Sequence, residues 1–373
     1  MIMTHSKHAL AKPAILTFTL VVASACTAVA DNAGSDGGGD FESTLKSAEG
    51  ARKQAATAGG EWRDTKKIMK QAKESAGGGD TKKAMKLSNK ARVQGELGLQ
   101  QTKDNEAYLK LVPEYNPNAT PSEDLKNLQG YFRKKFPDLP DEEFANGNYA
   151  LDEAMRENWE AIEEFPPYEP FIEEGETLWD TAFKNGKGYK DCFPEAGITN
   201  TYPRWDAEKA EVETIPMAIN ACRKQNEEKP LKYGKKEMLQ IQSYMAYESR
   251  DKPTEVIVPE DDPKALAAYN AGKKFYFSRR GQLNLACSQC HFATASNKIR
   301  TNVLGPALGQ TSHWPAYRSK WGGMGSLHRR YKGCNKQVRA KPFDFQSETY
   351  RNLEFFHTHM SNGIPVNGPG TRM

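Results

Sequence analysis

The residues Cys287-Ser288-Gln289-Cys290-His291 decide the class of fold, because they form the pattern C-x-x-C-H. In this pattern two thiols add to the vinyl groups of a haem, and the histidine that follows coordinates the iron. One helical turn places both sulfurs along one porphyrin edge and points the next imidazole at the metal. A disulfide between two closely spaced cysteines is the alternative. The motif predicts one covalently bound haem c, attached through Cys287 and Cys290, with His291 as an axial iron ligand.

Helical patterns dominate the rest of the chain, and no strand alternation is long enough to predict a sheet. A predicted helix over residues 263–278 leads into the haem motif. Before it, a charged stretch punctuated by prolines separates two predicted α domains, residues 117–248 and 249–373. We therefore expect a mainly α fold.

Residues 42–112 precede these domains and are predicted to form a helical hairpin. Its arms, residues 42–75 and 81–108, are rich in Ala, Lys, Leu, Met and Gln, and a Gly-rich stretch separates them. Gly59-Gly60 interrupts the first arm. Two charged helices that act only as a spacer would show the same pattern, so the pattern alone does not assign a role.

The N-terminus has the parts of a secretory signal. Basic residues precede an apolar run, and Ala28-Val29-Ala30 forms an A-x-A cleavage site. We predict a signal peptide at residues 1–30, a flexible tether rich in Gly, Ser and Asp at residues 31–41, and export to the periplasm. Because Ala23-Ser24-Ala25-Cys26 also resembles a lipoprotein processing site, lipid attachment at Cys26 is the alternative.

Charge is strongly segregated along the chain, although the net charge is only +4. Residues 46–103 hold 14 basic and 6 acidic side chains, a balance of +8. Residues 121–180 hold 5 and 17, a balance of −12, and residues 291–373 hold 12 and 3, a balance of +9. Since the basic regions lack the interleaved aromatic residues of RNA-binding motifs, we expect no nucleic acid partner. Small anions or acidic proteins fit the basic haem end better.

The cysteine count raises the question of the second iron ligand. Cleavage after Ala30 leaves five of the 6 cysteines, so one thiol is left over if two hold haem and two pair. A Met/His ligand pair raises the potential of a haem, which suits electron transfer, whereas a thiolate lowers it. The candidate ligands are Met324, Met360, His313, His328 and Cys334. Cys334 follows several cationic residues, which favour the thiolate, the better nucleophile and metal ligand.

These residues leave three functions open. The first is covalent thiol chemistry at Cys334. The second is plain periplasmic electron transfer, with Met324 or Met360 on the iron. In the third, the hairpin binds a partner and the haem only relays electrons.

Longer stretches around these residues closely resemble SoxA, the haem subunit of the sulfur-oxidation cytochrome SoxAX. The resemblance covers roughly residues 120–373. Around the haem motif it rests on Arg280-Gly281-Gln282-Leu283-Asn284, Leu304-Gly305-Pro306-Ala307-Leu308-Gly309-Gln310, Trp314-Pro315-Ala316-Tyr317-Arg318 and Gly333-Cys334-Asn335. Earlier in the chain it rests on Glu163-Glu164-Phe165-Pro166-Pro167-Tyr168-Glu169, Tyr202-Pro203-Arg204-Trp205-Asp206 and Ile219-Asn220-Ala221-Cys222-Arg223.

The resemblance implies an L-cysteine S-thiosulfotransferase. Such subunits transfer thiosulfate to a cysteine of a SoxYZ-like carrier protein, pair with a small SoxX-like cytochrome c, and pass two electrons through haem to an acceptor cytochrome. Cys334 matches the cysteine that is both the distal haem ligand and the catalytic thiol. Arg330 matches the arginine one helical turn earlier, whose guanidinium suits an anionic substrate.

The resemblance also implies two cytochrome c-like domains, of which the first is free of haem here. Some SoxA proteins carry a second haem in that domain, but no C-x-x-C-H pattern surrounds Cys192. In members with a single haem, the cysteine that would have bound the lost haem pairs with the other remaining cysteine. A disulfide between Cys192 and Cys222 is therefore implied.

Residues 42–103 resemble a different small protein, the SoxAX-binding protein, which some sulfur oxidisers carry as a separate chain. The resemblance rests on Gly59-Gly60-Glu61-Trp62-Arg63-Asp64-Thr65 and Lys90-Ala91-Arg92-Val93-Gln94-Gly95-Glu96-Leu97-Gly98. Fusion to the cytochrome would hold such a factor at a high effective concentration.

Overall fold

The computed structural model describes residues 40–299 and 301–373. The predicted signal peptide, Cys26 and nearly all of the tether lie outside these residues. The described part is mainly helical. Its α-helices are α1 Phe41–Thr57, α2 Thr65–Gly77, α3 Thr81–Leu109, α4 Pro121–Lys135, α5 Glu153–Glu163, α6 Glu169–Asp180, α7 Ile215–Gln225, α8 Lys236–Glu248, α9 Pro263–Phe277, α10 Leu327–Gln337 and α11 Glu348–His359.

The N-terminal helices α1, α2 and α3 pack together, with α1 and α2 both lying along the longer α3. Asp40 caps α1 by accepting a hydrogen bond from the Ser43 amide, and Asp80 caps α3 by accepting one from the Lys83 amide. Side chains of small or moderate size, including Ala48, Met69 and Ala91, form their shared core. The break predicted at Gly59-Gly60 lies between α1 and α2.

A second core surrounds the predicted disulfide. Trp179 at the end of α6 packs with Tyr189 and Phe193 against helices α7 and α8. Cys192 and Cys222 are bonded to each other in this core, as the resemblance implies.

The largest core lies on the haem side of the molecule. Helices α9 and α11 cross in it, and it contains many aromatic side chains, among them Tyr276, Phe292 and Phe356. Helix α4 adds Leu128 and Phe132 to the same core, although it is far earlier in the chain. A buried ion pair, Lys273 Nζ to Asp124 Oδ2 at 2.6 Å, also joins α9 to α4.

Short strands form where the sequence predicts no sheet. They are β1 Arg204–Asp206, β2 Glu211–Glu213, β3 Lys298–Ile299, β4 Asn302–Val303, β5 Ala316–Arg318, β6 Gly323–Gly325 and β7 Gly370–Arg372. Strand β5 pairs with β6 in the antiparallel sense and with β7 in the parallel sense. Because each strand has only two or three residues, no alternation of polar and apolar residues can mark it in the sequence.

The crossing of α9 and α11 depends on a close approach of their backbones. A methyl group at Gly272 would lie 1.9 Å from the Asn352 carbonyl oxygen, so no larger residue fits without a backbone shift.

We predict that Gly272→Ala lowers the free energy of unfolding by about 1–3 kcal/mol, the usual cost of overpacking a core. Gly130→Ala on α4 is the matched control, because no atom lies within 4 Å of the added methyl. Alanine favours a helix over glycine, so the control should gain about 0.5–1 kcal/mol. Denaturant unfolding of both variants measures the difference. Equal free energies of unfolding for Gly272→Ala and Gly130→Ala would contradict the close approach of α9 and α11 at Gly272.

Candidate functional site

The haem motif lies directly after helix α9 and its connecting loop. Its second half forms a π-helical turn, Gln289–Ala293, a geometry that is frequent at functional sites. The Gln289 side chain accepts a hydrogen bond from the Ala286 amide at 2.8 Å and so fixes the start of the turn. Cys287, Cys290 and His291 are all half-buried. The three side chains are thus available at one short turn, as covalent haem attachment requires.

The His291 imidazole is held in the state that a metal ligand needs. Its Nδ1 lies 2.9 Å from the Gly305 carbonyl oxygen and 2.6 Å from Gln310 Nε2. In the tautomer that carries its proton on Nδ1 and donates it to Gly305, the Nε2 lone pair is the one left for a metal. Burial lowers the pKa of His291 to about 4, with a smaller effect from the Arg330 charge. The imidazole is therefore neutral at physiological pH, so no proton competes with a metal ion for it.

The surroundings of the motif disfavour charge. Burial, and next the nearby Cys334 thiol, raise the pKa of Cys287 to about 12. Burial also raises the pKa of Cys290 and, well above its usual value, that of Tyr276. Within the described residues, the buried Tyr276 hydroxyl and His357 Nε2 have no hydrogen-bond partner. Two thiols, a neutral imidazole and unpartnered buried polar atoms close to one another fit a covalently bound porphyrin.

Helix α10 brings Cys334 and Arg330 to the same place. They are four residues apart, so they lie on one face of the helix, one turn from each other. Both act on the pKa of Cys290: the Cys334 thiol raises it and the Arg330 guanidinium lowers it, after the larger effect of burial. The structure therefore brings together the haem motif and the two residues that the sequence singles out for catalysis.

The N-terminus of α10 is stabilised by a side-chain cap and by the contacts of Arg329. The Ser326 side chain caps the helix by accepting a hydrogen bond from the Arg329 amide. The Arg329 guanidinium lies over the Trp321 ring at 4.3 Å and donates to the Met324 carbonyl oxygen at 2.9 Å.

The other candidate iron ligands lie in different parts of the fold or already have partners. Met324 on β6 packs with Tyr168 and Leu239 in a separate small cluster. Met360 is buried in the haem-side core just after α11. His328 Nδ1 accepts a hydrogen bond from the Gln346 amide at 3.1 Å, and its Nε2 lies 2.8 Å from a Glu354 carboxylate oxygen. Burial holds the pKa of His313 well below its usual value.

Two arginines that the sequence analysis did not single out lie near this site. Arg318 on β5 and Arg372 on β7 are register partners in the parallel strand pair. Burial, followed by the Arg330 charge, lowers the pKa of Arg318 to about 10, while the Cys334 thiol acts in the opposite direction. Burial also lowers the pKa of Arg372.

Among the ion pairs of the described residues, none includes Arg318, Arg330 or Arg372. Three guanidinium groups without a carboxylate partner favour the binding of an anion. Arg318 is the last residue of Trp314-Pro315-Ala316-Tyr317-Arg318, one of the stretches that resemble SoxA, so the sequence did contain a signal for this arginine. No local signal marks Arg372, because only the strand pairing brings it to the site.

Comparison with known proteins identifies the family. The chain is 58% identical over 255 residues to the L-cysteine S-thiosulfotransferase subunit SoxA of Allochromatium vinosum, covering 68% of this chain and 91% of that protein. It is 48% identical over 263 residues to the subunit of the same name from Chlorobaculum tepidum, covering 69% and 90%.

The fold comparison agrees. The crystal structure of SoxXA from P. pantotrophus matches with a TM-score of 0.54 and 26% sequence identity, covering 60% of this chain and 86% of that chain. The family described as SoxA/TsdA, cytochrome c domain, matches residues 174–254, the region of the disulfide-bonded core. A cytochrome c domain implies haem c, which the C-x-x-C-H motif of this chain can attach. The chain therefore belongs to the SoxA family of L-cysteine S-thiosulfotransferase subunits.

Proposed function

We propose that the protein is the haem c subunit of an L-cysteine S-thiosulfotransferase, which couples thiosulfate oxidatively to a cysteine of a SoxYZ-like carrier protein. The observation that carries this proposal is the meeting of Cys334 and Arg330 with the haem motif. A simple electron carrier needs neither a thiol nor a free guanidinium beside its haem.

In this proposal Cys287 and Cys290 would hold one haem covalently, and His291 and Cys334 would bind its iron. When bound, the haem accepts the electrons that the reaction releases. Cys334 is the catalytic thiol, which holds sulfur from thiosulfate before transfer. Overall, a sulfur–sulfur bond forms between thiosulfate and the carrier cysteine, the carrier thiol gives up its proton, and two electrons leave toward an acceptor cytochrome.

Arg330 binds the sulfonate oxygens of thiosulfate. Its guanidinium can form two parallel hydrogen bonds to such a group and lies one helical turn from the Cys334 sulfur. Within the described part of the chain, Arg318 and Arg372 form no side-chain ion pair, and their positive charges near Arg330 support an anionic substrate at this place. Arg372 also donates to the Thr371 and Ala145 carbonyl oxygens.

The domain arrangement is also proposed. We assign two cytochrome c-like domains, residues 117–248 without haem and residues 249–373 with haem, behind a helical hairpin at residues 42–112. The separate core around Cys192–Cys222 supports a haem-free first domain. Helix α4 nevertheless adds its buried side chains to the haem-side core, so the two domains share that part of the chain.

We propose a periplasmic protein that forms a heterodimer with a small SoxX-like cytochrome c. The solved SoxXA complex supports the pairing, and the predicted signal peptide supports the location. Among the described residues, no helix has both the length and the apolar character to cross a membrane.

We predict one haem per chain, because the sequence contains a single C-x-x-C-H motif. A pyridine haemochrome assay of this chain, purified without its partner, should give a ratio of one. A ratio of two would show that the first domain also binds haem.

We predict that Cys334→Ser keeps the covalent haem but loses thiosulfate transfer to the carrier. Attachment needs only Cys287 and Cys290, whereas a hydroxyl is a far weaker nucleophile than a thiolate and forms no persulfide. Absorption and EPR spectra should lose the thiolate signature. If Met324 or Met360 binds the iron instead, as in the electron-transfer alternative, the spectra and the reduction potential will stay nearly unchanged.

We predict that Arg330→Ala weakens thiosulfate use and leaves haem attachment intact. A hydrogen bond to a charged group contributes roughly 1.5–3 kcal/mol, which corresponds to about 10- to 150-fold in kcat/KM. Lys336→Ala is the control, because this exposed basic residue lies on the same helix. Equal losses in the two variants would indicate a general effect of charge and would remove Arg330 from the site.

A further inference from the structure

Helices α1, α2 and α3, with the turns that join them, contact both sides of the candidate site. We call residues 41–109 the N-terminal module. The leading segment, residues 279–285, ends just before Cys287. The trailing segment, residues 336–341, begins two residues after Cys334. The module binds both segments, largely through their backbone groups.

The leading segment is held by helix α3. The Asn105 side chain donates to the Arg279 carbonyl oxygen at 2.9 Å and accepts from the Arg279 amide at 2.9 Å, so it pairs with both backbone groups of one residue. Gln101 donates to the Gly281 carbonyl oxygen at 2.9 Å and to Asn284 Oδ1 at 2.7 Å. Asn105 is buried, so these bonds are shielded from water.

Arg280, in the leading segment, also contacts the module. Its guanidinium donates to the Gly59 carbonyl oxygen at 2.8 Å, in the turn between α1 and α2. The guanidinium also lies over the Phe275 ring at 3.9 Å. The module therefore reaches the end of α9 and the loop that follows it.

The trailing segment is held by residues 61–63. Trp62 and Ala340 form an antiparallel β-bridge, flanked by hydrogen bonds from the Arg63 amide to the Arg339 carbonyl and from the Lys341 amide to the Glu61 carbonyl. The buried Glu61 carboxylate also pairs with Lys341 Nζ at 2.7 Å. These contacts add a short strand pairing to the segment that leaves α10.

Arg63 acts on the end of α10 itself. Its guanidinium donates to the Lys336 carbonyl oxygen at 2.8 Å, one of the last carbonyls of the helix. The Arg339 amide already donates to this carbonyl at 3.1 Å, so Arg63 adds a second, charged donor at the helix end, where a cation interacts favourably with the helix dipole. The helix that carries Cys334 is therefore capped by a residue of the module.

The leading and trailing segments also touch each other. A methyl group at Gly281 would lie 2.1 Å from the Val338 carbonyl oxygen, and the Leu283 amide donates to that same oxygen at 3.2 Å. The Val338 amide in turn donates to the Cys334 carbonyl oxygen at 3.1 Å. A short chain of backbone contacts thus links the leading segment, the trailing segment and helix α10, and the module contacts both segments.

We propose that the N-terminal module positions Cys334 relative to the haem-attachment turn, with Asn105 and Arg63 as positioning residues. This inference rests on the proposed role of Cys334 as haem ligand and catalytic thiol. The module fixes the leading segment through Asn105 and the end of α10 through Arg63, so the two halves of the site keep one spacing. A module that served only as a spacer would need no contacts at these two points.

The test compares the double variant Arg63→Ala/Asn105→Ala with Arg92→Ala in the full-length protein. Arg92 pairs with Glu96 on α3 at 2.6 Å, so the control also removes an arginine contact within the module. In the double variant, haem content should equal that of the parent, and the EPR signal of thiolate-ligated iron should fall. The kcat for thiosulfate transfer should fall about tenfold with KM nearly unchanged, because misplacement of a reacting group acts on the chemical step. The control should match the parent in all measurements.

A double variant with the parent spectrum and the parent kcat would overturn the inference. A double variant that folds like the parent but loses haem content would also overturn it, because the module would then act on haem attachment and not on the position of Cys334. Should the double variant not fold, Arg63→Ala and Arg63→Lys replace it. The lysine ammonium group would retain a donor for the helix end, so Arg63→Lys should keep more of the thiolate signal than Arg63→Ala, and equal signals would overturn the inference.

Cys334→Ser separates this inference from the proposed function. If Cys334→Ser keeps the parent spectrum, the proposed ligand is wrong. If Cys334→Ser loses the thiolate signal while Arg63→Ala/Asn105→Ala keeps it, only the positioning role fails.

Discussion

The hydrogen bond between His291 Nδ1 and the Gly305 carbonyl is the interaction on which the site depends. It orients the imidazole, while burial keeps the ring neutral. The π-helical turn holds Cys290 and His291, and Cys287 lies in the residues just before it. The aromatic core around α9 and α11 supports the turn, and its tight crossing at Gly272 gives this support little freedom to shift.

Charge on the haem side is arranged for an anion. The thiol of Cys334 lies near Arg330 and Arg318, and Arg372 is added by strand pairing. Burying cations is unfavourable unless they are paired, so guanidinium groups without carboxylate partners favour a negatively charged ligand. A small dianion such as thiosulfate meets that need, and it is the substrate of the proposed reaction.

The N-terminal module contacts the chain on both sides of the candidate site. A separate binding protein would have to associate at each encounter, whereas a fused module is always present at high effective concentration. Its contacts with the leading and trailing segments are mainly to backbone groups. Such contacts fix the path of the chain on both sides of the site and leave the Cys334 and Arg330 side chains free for chemistry.

The sequence by itself determined the haem motif, most of the helices, the candidate thiol and its arginine, and, through family resemblance, the disulfide between Cys192 and Cys222. These features are readable because they are local: a C-x-x-C-H pattern, a helical period or a conspicuous motif lies within a few residues. Only the tertiary structure decided that Arg372 joins Arg318, that α4 packs into the haem-side core, and that Asn105 and Arg63 hold the segments beside the catalytic helix. These contacts join residues far apart in the chain through strands of three residues, a few packed side chains or one or two hydrogen bonds. Such contacts leave no signal within a short stretch of sequence, so only the tertiary packing selects them.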